Sequence, residues 1–400
     1  MKRVIKQRFE QIHHGKCPEG YQKTKAGILP DNWNVHMLGD CLCRVEKRVE
    51  VKPNELYTQI GIRSHGKGLF YKEPVTGANL GNKAVYWIEP NCFILNIVFA
   101  WEQAIGKTTQ AEVGMIGSHR FPMYRPINQS VDIDYLVFYF LTSRGTNILE
   151  AASPGGAGRN RTLGQNRFLK SKIILPPIEE QKRIAAILIT QDKVIELKEK
   201  LLVEKQRQKK YLMQQFLTGQ KRLSGFRGKW RNIRLRDALK VCHGKNQYTI
   251  EKENGRYPIL GTGGEIGRSD SFLYDKPSIL LGRKGSINKP MYIETPFWTI
   301  DTLFYCKVKS GYYPKFLFFK FQNINWNKYD ESSGVPSLSA STIESVDVLI
   351  PEFSEQFAIA EVLSTADREI DLLKKDIEQE KQKKKALMQL LLTGIVRVSV

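Results

Sequence analysis

The sequence is short of cysteine, of acidic charge and of long apolar runs. Six cysteines, Cys17, Cys41, Cys43, Cys92, Cys242 and Cys306, are scattered through 400 residues. That is too sparse for the disulfide framework of a secreted scaffold and suits a reducing compartment. Cys41-Leu42-Cys43 has no second pair at ligand spacing, so these are expected to be small buried apolar residues. The longest apolar run, FILNIVFA at 93–100, is far below the roughly 20 residues that span a bilayer. The basic stretch MKRVIKQRFEQIHHGK has no apolar centre of the kind a signal peptide needs. The expectation is a soluble cytoplasmic protein with no membrane partner.

Enzyme signatures are missing too. Gly106-Lys107-Thr108-Thr109 resembles the end of a phosphate loop, but Trp101 stands where that loop requires its first glycine. GTGGEIG at 261–267 fails the dinucleotide fingerprint because residue 266 is Ile. Leu175-Pro176-Pro177-Ile178 lacks the Asn or Asp and the aromatic of the adenine-methyltransferase motif, and no nuclease or helicase constellation is present. His13-His14 has no partners at metal spacing and reads as surface histidines. No catalytic residue, no metal and no cofactor are expected in this chain.

What is abundant is positive charge, +21 in all. It is about +10 over residues 1–174 and about +7 over 224–349, against about +5 over 175–223 and about −1 over 350–400. A polyanion gripped by globular blocks fits this distribution better than a basic tail or a membrane-surface helix. Charge by itself leaves open a coiled-coil adaptor whose basic domains bind RNA or another acidic partner.

Self-similarity organises the rest. Residues 175–219 align without a gap on 350–394, every pair 175 apart, with 19 identities in 45 positions. Trp33-x4-Leu38-x-Asp40 is echoed by Trp230-x4-Leu235-x-Asp237. The chain is therefore a domain plus a helix, twice: 1–174, 175–223, 224–349 and 350–400.

Each repeated segment opens on proline (Pro176 and Pro177, or Pro351) and early glutamate (Glu179, Glu180, Glu355), and each closes at Leu-Thr-Gly, with Gly219 and Gly394 placed for a left-handed cap. About 40 helical residues lie between, roughly 60 Å at about 1.5 Å each. Positions seven apart form a row that is apolar but for one lysine in each copy: Leu188, Ile195, Leu202, Lys209, Phe216 in one and Leu363, Ile370, Ile377, Lys384, Leu391 in the other. Antiparallel pairing of the two is expected to bring Lys198 near Glu380.

These features resemble the specificity (S) subunit of type I restriction-modification systems. The resemblance rests on Pro-Pro-x-x-Glu-Gln at 176–181, the helix ending LMQQFLTG at 212–219, their repetition from Pro351 to Gly394, Gly27-Ile28-Leu29-Pro30-x-x-Trp33, and the second-block segments YPIL (257–260) and ILLGRKGS (279–286). It covers essentially the whole chain, with Glu352 departing from the proline of the first copy. It implies an α+β protein in which two mixed α/β target recognition domains alternate with two long helices paired as an antiparallel coiled coil. It further implies a bipartite double-stranded DNA target, helices acting as a spacer ruler, two methyltransferase subunits, and restriction/translocase subunits. S-adenosylmethionine, ATP and Mg would belong to those partners. A related methyltransferase-nuclease system using the same kind of subunit is also compatible.

Candidate DNA contacts are glycine-bearing loops with Arg, Lys, Ser or Asn. They are Arg63, Ser64 and Lys67; Arg159, Asn160 and Arg161; Thr262 and Arg268; Arg283, Lys284 and Ser286; and Ser337 with Ser339. Residues expected at subunit interfaces are Pro176, Gln181, Leu188, Ile195, Leu202, Pro351, Gln356, Leu363, Ile370 and Ile377.

Overall fold

The computed structural model describes residues 2–25, 27–81, 84–155 and 161–398. The chain forms two compact units, Met1–Leu197 with Ile377–Val400, and Lys198–Asp376. Each unit thus combines a globular block with half of each long helix, a division that cuts through the helices and not beside them.

The long helices span Ile178–Leu217 and Phe353–Leu391, 40 and 39 residues. Proline ends the preceding strand and is tolerated ahead of the first turn, where N–H groups lack intrahelical partners. At the far ends, Gly219 and Gly394 both have φ of +75°, a conformation that favours glycine.

Inside the first unit, Ile184 and Leu188 from the start of one helix share a core with Leu387, Leu391 and Leu392 from the end of the other. Inside the second, Lys198 meets Asp376 at 2.8 Å, Lys205 meets Glu369 at 2.7 Å and Lys209 meets Asp367 at 2.6 Å. Partner numbers fall as residue numbers climb, so the pairing is antiparallel. Lys198 pairs with Asp376, one turn before Glu380 in the second helix, and Glu380 accepts a hydrogen bond from Gln191 at 2.7 Å. The lysines in the apolar rows are also explained. The Lys209 amine lies 5.6 Å from the Phe319 ring centre while paired with Asp367, and the Lys384 amine lies 5.4 Å from Phe138 while paired with Asp192. Their stems are apolar enough for the seam and their heads reach an anion.

Each block is built on a four-stranded antiparallel sheet. In the first, β1 (Leu42–Val45), β2 (Phe93–Leu95), β3 (Ile105–Lys107) and β4 (Met123–Pro126) lie in the order β3-β2-β4-β1. In the second, β5 (Leu239–Cys242), β6 (Ser278–Gly282), β7 (Met291–Ile293) and β8 (Leu303–Val308) lie in the order β7-β6-β8-β5. The order is the same in both, so the repeat extends to blocks whose sequences have diverged. Burial of Phe93, Tyr124, Phe140 and Phe168 in one core, and of Phe304, Phe316, Phe319 and Trp326 in the other, supplies the apolar area.

A two-stranded ribbon closes each block, Asn34–Met37 with Lys172–Leu175 and Arg231–Arg234 with Asp347–Ile350. It brings the start of a long helix beside the tryptophan that both copies share: Trp33 Nε1 donates to Glu180 at 3.2 Å and Trp230 Nε1 to Glu355 at 3.1 Å. Gln181 and Gln356 finish the joint. The Gln181 carbonyl accepts from Asp132 N at 2.9 Å and its amide donates to Pro176 O at 2.9 Å; Gln356 does the same with Tyr313 N at 2.9 Å and Pro351 O at 3.0 Å.

The cysteines are all unpaired. Cys41 is buried as expected, but Cys43 is exposed at the edge of β1, which corrects the reading of that pair as buried. No helix among the described residues is long and apolar enough to cross a membrane.

Candidate nucleic-acid interface

In the second unit the loop after β6 folds back sharply. A Cβ on Gly282 would lie 2.6 Å from the Ser286 carbonyl oxygen, so only glycine permits the turn. The loop is then pinned by backbone bonds: Arg283 N donates to Thr302 O at 2.8 Å, Leu338 N donates to Arg283 O at 2.9 Å, Gly285 N donates to Pro336 O at 2.8 Å, and Lys284 pairs with Ser337. Two loops 50 residues apart in sequence, 283–286 and 336–338, therefore form one surface. Lys284 and Ser286 are exposed on it, and Arg283 and Ser337 are half-buried.

A third loop joins this edge. Lys245 N donates to Thr299 O at 2.8 Å and Trp298 Nε1 donates to Lys245 O at 2.9 Å, which ties Lys245 to the start of the same 299–302 turn whose Thr302 holds Arg283. Tyr248 follows, 80% exposed. The sequence reading passed over Lys245 and Tyr248; the available signal was Gly244, whose added Cβ would meet Ile300 O at 1.9 Å.

The first unit makes the equivalent surface from different residues. Leu163 N donates to Ile97 O at 2.8 Å, the counterpart of the bond between Leu338 and Arg283, and Ile97 N donates to Arg120 O at 3.0 Å as Arg283 N does to Thr302. Where one unit has Arg283-Lys284 the other has Ile97-Val98. Its cations come from elsewhere. The Arg161 guanidinium lies 5.4 Å from the Trp101 ring centre. The turn carrying Arg63, Ser64 and Lys67 is tied to the same place, with His65 N donating to Glu102 O at 2.7 Å and Gly66 N to Gln103 O at 2.9 Å. Lys67 is exposed at its tip. Arg159 and Asn160 lie outside the described residues.

Other candidates have structural partners. Arg268 donates to Gly255 O at 2.8 Å, Arg256 O at 3.0 Å and Glu265 at 3.1 Å, which fixes a loop with its donors. Ser339 caps the helix Ala340–Ser345 by accepting from Thr342 N at 3.1 Å. Thr262 is half-buried in the turn before Gly264.

The residues expected at subunit interfaces are covered within the chain itself. Pro176, Gln181, Leu188, Ile195, Pro351, Gln356, Leu363, Ile370 and Ile377 are buried, and Leu202 is half-buried. They pack within the chain and offer no surface while the helices stay paired. The exposed apolar residues are different ones: Ile187, Ile189, Leu197, Leu201 and Val203 on the first helix and Phe353, Phe357 and Leu372 on the second. No cluster of His, Cys, Asp or Glu among the described residues could hold a metal ion.

Comparison with known proteins agrees with this architecture. Residues 30–205 and 227–382 each match the family model of the type I restriction modification DNA specificity domain. The chain is 24% identical over 423 residues to the putative type I restriction enzyme MjaX specificity subunit of Methanocaldococcus jannaschii, covering 95% of this chain and 97% of that one. It is 23% identical over 432 residues to the MjaVIII specificity subunit of the same organism, covering 95% and 96%. In fold it is similar to the HsdS subunit of Thermoanaerobacter tengcongensis (TM-score 0.53, 18% identity, 92% of this chain and 98% of the other). It is also similar to the type I S subunit of M. genitalium (TM-score 0.59, 16% identity, 90% and 96%).

Proposed function

The chain belongs to the type I restriction modification DNA specificity family, and from that membership we propose that it is the non-catalytic subunit that selects a bipartite double-stranded DNA target for its complex. The observation that carries this reading is the recurrence of one backbone frame, Leu163 to Ile97 and Leu338 to Arg283, with basic residues on the frame itself in the second unit (Arg283, Lys284) and on neighbouring loops in the first (Arg161, Lys67). Two equivalent frames suit two half-sites. Different side chains on them, Arg161 with Trp101 in one and Arg283 with Lys284 in the other, suit half-sites of different sequence.

The two long helices, equal to within a residue, act as the ruler that sets the unread spacer. Their exposed apolar residues are the surface offered to two methyltransferase subunits, with restriction/translocase subunits joining the same complex, because apolar side chains of this size in water mark a contact. S-adenosylmethionine, ATP and Mg serve those partners.

The test is equilibrium binding of the full chain, with its methyltransferase, to duplex DNA carrying the motif found by methylome sequencing. Affinity should fall steeply with salt and exceed that for unrelated duplex or for RNA of equal length. Equal or tighter RNA binding overturns the reading in favour of an adaptor. Inserting one heptad in both helices keeps their seam in phase and should lengthen the spacer; an unchanged spacer removes the ruler.

A further inference from the structure

In the first unit, residues 96–102 wind through two consecutive three-residue turns. Phe99 N donates to Asn96 O at 3.0 Å and Glu102 N donates to Phe99 O at 3.0 Å. Side chains three apart eclipse in such winding. Asn96, Phe99 and Glu102 accordingly share one face, and that face borders a cavity of about 410 Å³ completed by Phe70, Phe121 and Ser64.

The lining has a specific chemistry. Asn96 is 9% exposed, and its side-chain carbonyl accepts from Val98 N at 3.1 Å. Its amide nitrogen has no acceptor among the described residues. Glu102 accepts the Ser64 hydroxyl on Oε2 at 3.0 Å, and Oε1 has no donor among the described residues. One amide donor, on a residue itself buried, and one anionic acceptor thus sit beside phenyl rings that the fold leaves only half-buried, with the exposed Lys72 also on the rim. Apolar walls with a few convergent polar groups are the composition of a small-molecule site, and phenyl faces stack on planar heterocycles.

We propose that this cavity is a nucleobase site that selects guanine. The base lies against the phenyl walls, O6 accepts from the Asn96 amide, and N1–H with the N2 amino group donates to the Glu102 carboxylate. Adenine presents an amino group where Asn96 requires an acceptor, and pyrimidines lack the second donor. The cavity shares Glu102 with the turn at 63–68, so the guanine comes either from bound DNA, extruded from the duplex, or from free nucleoside. The first source rests on the DNA-binding reading above; the second does not.

The experiment uses the full chain with guanosine, adenosine and xanthosine in equilibrium dialysis, and with its target duplex in which guanines are replaced one at a time by inosine. Guanosine should bind at least tenfold more tightly than adenosine. Glu102→Gln keeps the shape and the acceptor for Ser64 but can donate to the C2 carbonyl of xanthine, so preference should pass from guanosine to xanthosine, with thermal unfolding unchanged. Extrusion is indicated if one inosine position weakens DNA binding and Glu102→Gln abolishes that sensitivity, since loss of the N2 amino group is invisible from the major groove. Guanosine selectivity without a sensitive position assigns the free nucleoside. Absence of both the nucleoside preference and a sensitive position overturns the site. A chain that binds no duplex at all overturns the DNA reading and leaves the guanosine measurement to decide the pocket.

Discussion

Arg397, three residues beyond Gly394, places its Nε and Nη2 each 2.8 Å from the two carboxylate oxygens of Glu180, a side chain with no exposure to solvent at the start of the other long helix. Arg222, three residues beyond Gly219, does the same to the equally buried Glu355 at 2.5 and 2.6 Å. All four positions obey the 175-residue offset. In both units the residue following one helix neutralises the carboxylate that opens the other, and the tryptophan of the block donates to that same carboxylate.

Removing one member of a buried pair strands the other, at a cost of about 3–5 kcal/mol. Arg397→Ala should therefore destabilise the first unit by about that much. Arg222→Ala should do the same to the second. Denaturant unfolding followed by hydrogen exchange in each unit measures it, and equal effects of either substitution on both units would refute the assignment. Arg397→Lys should recover only part of the loss, because an ammonium cannot occupy both oxygens in the same plane.

Lys320 carries a pH dependence. Its amine is buried, donates to Leu217 O at the end of the first long helix and lies 5.3 Å from the Trp230 ring centre. Burial pulls its pKa down to about 8. Holding this proton costs the folded state below pH 8, and the penalty is relieved as pH rises toward the unfolded value near 10.5. Relative to Lys320→Met, the parent chain should gain on the order of 2 kcal/mol in unfolding free energy between pH 7 and 9.5. A constant difference across that range would show that the amine stays protonated.

Arg283 and Arg268 separate binding from stability. Arg283 is held through its backbone, and among the described residues its guanidinium has a single long bond, 3.5 Å to Asp301 O. Arg268 is held through its guanidinium. Arg283→Ala should weaken DNA binding by about 1–3 kcal/mol or reduce the salt slope by about one ion, with little change in melting. Arg268→Ala should lower the melting temperature and leave the salt slope alone. Filter binding across a salt series with paired thermal melts decides between them.

The helices and their duplication were legible because an offset and a heptad are properties of sequence order alone. The clamps were not, since Glu180 and Arg397 are 217 residues apart and each alone reads as a solvated charge on a helix end or a tail. The loops proposed to contact DNA stand out in the sequence as glycine next to cation, at Gly282-Arg283 and Gly66-Lys67, but the pattern is equally met by Arg268, whose donors turn inward. What the pattern lacks is the strand order that sets 283–286 against 336–338. The extra small strands of the first block, such as Leu56–Tyr57 and Val75–Thr76, are only two residues long and leave no alternation to detect.

Lys384 and Asp192, 2.5 Å apart, allow a test of the helix register in the first unit. Their side chains are 23% and 44% exposed, so solvent screens the pair and it contributes about 0.5–1 kcal/mol. Lys384→Asp would oppose two carboxylates and also forfeit the stacking of the amine over Phe138. Asp192→Lys added to it should restore the attraction but not the stacking, since an aspartate at 384 is too short to cover the ring. The double variant should therefore recover part of the loss, and the unrecovered remainder measures the aromatic contact. A double variant no more stable than Lys384→Asp alone would mean that the two side chains do not meet in solution and that the helices pair in another register.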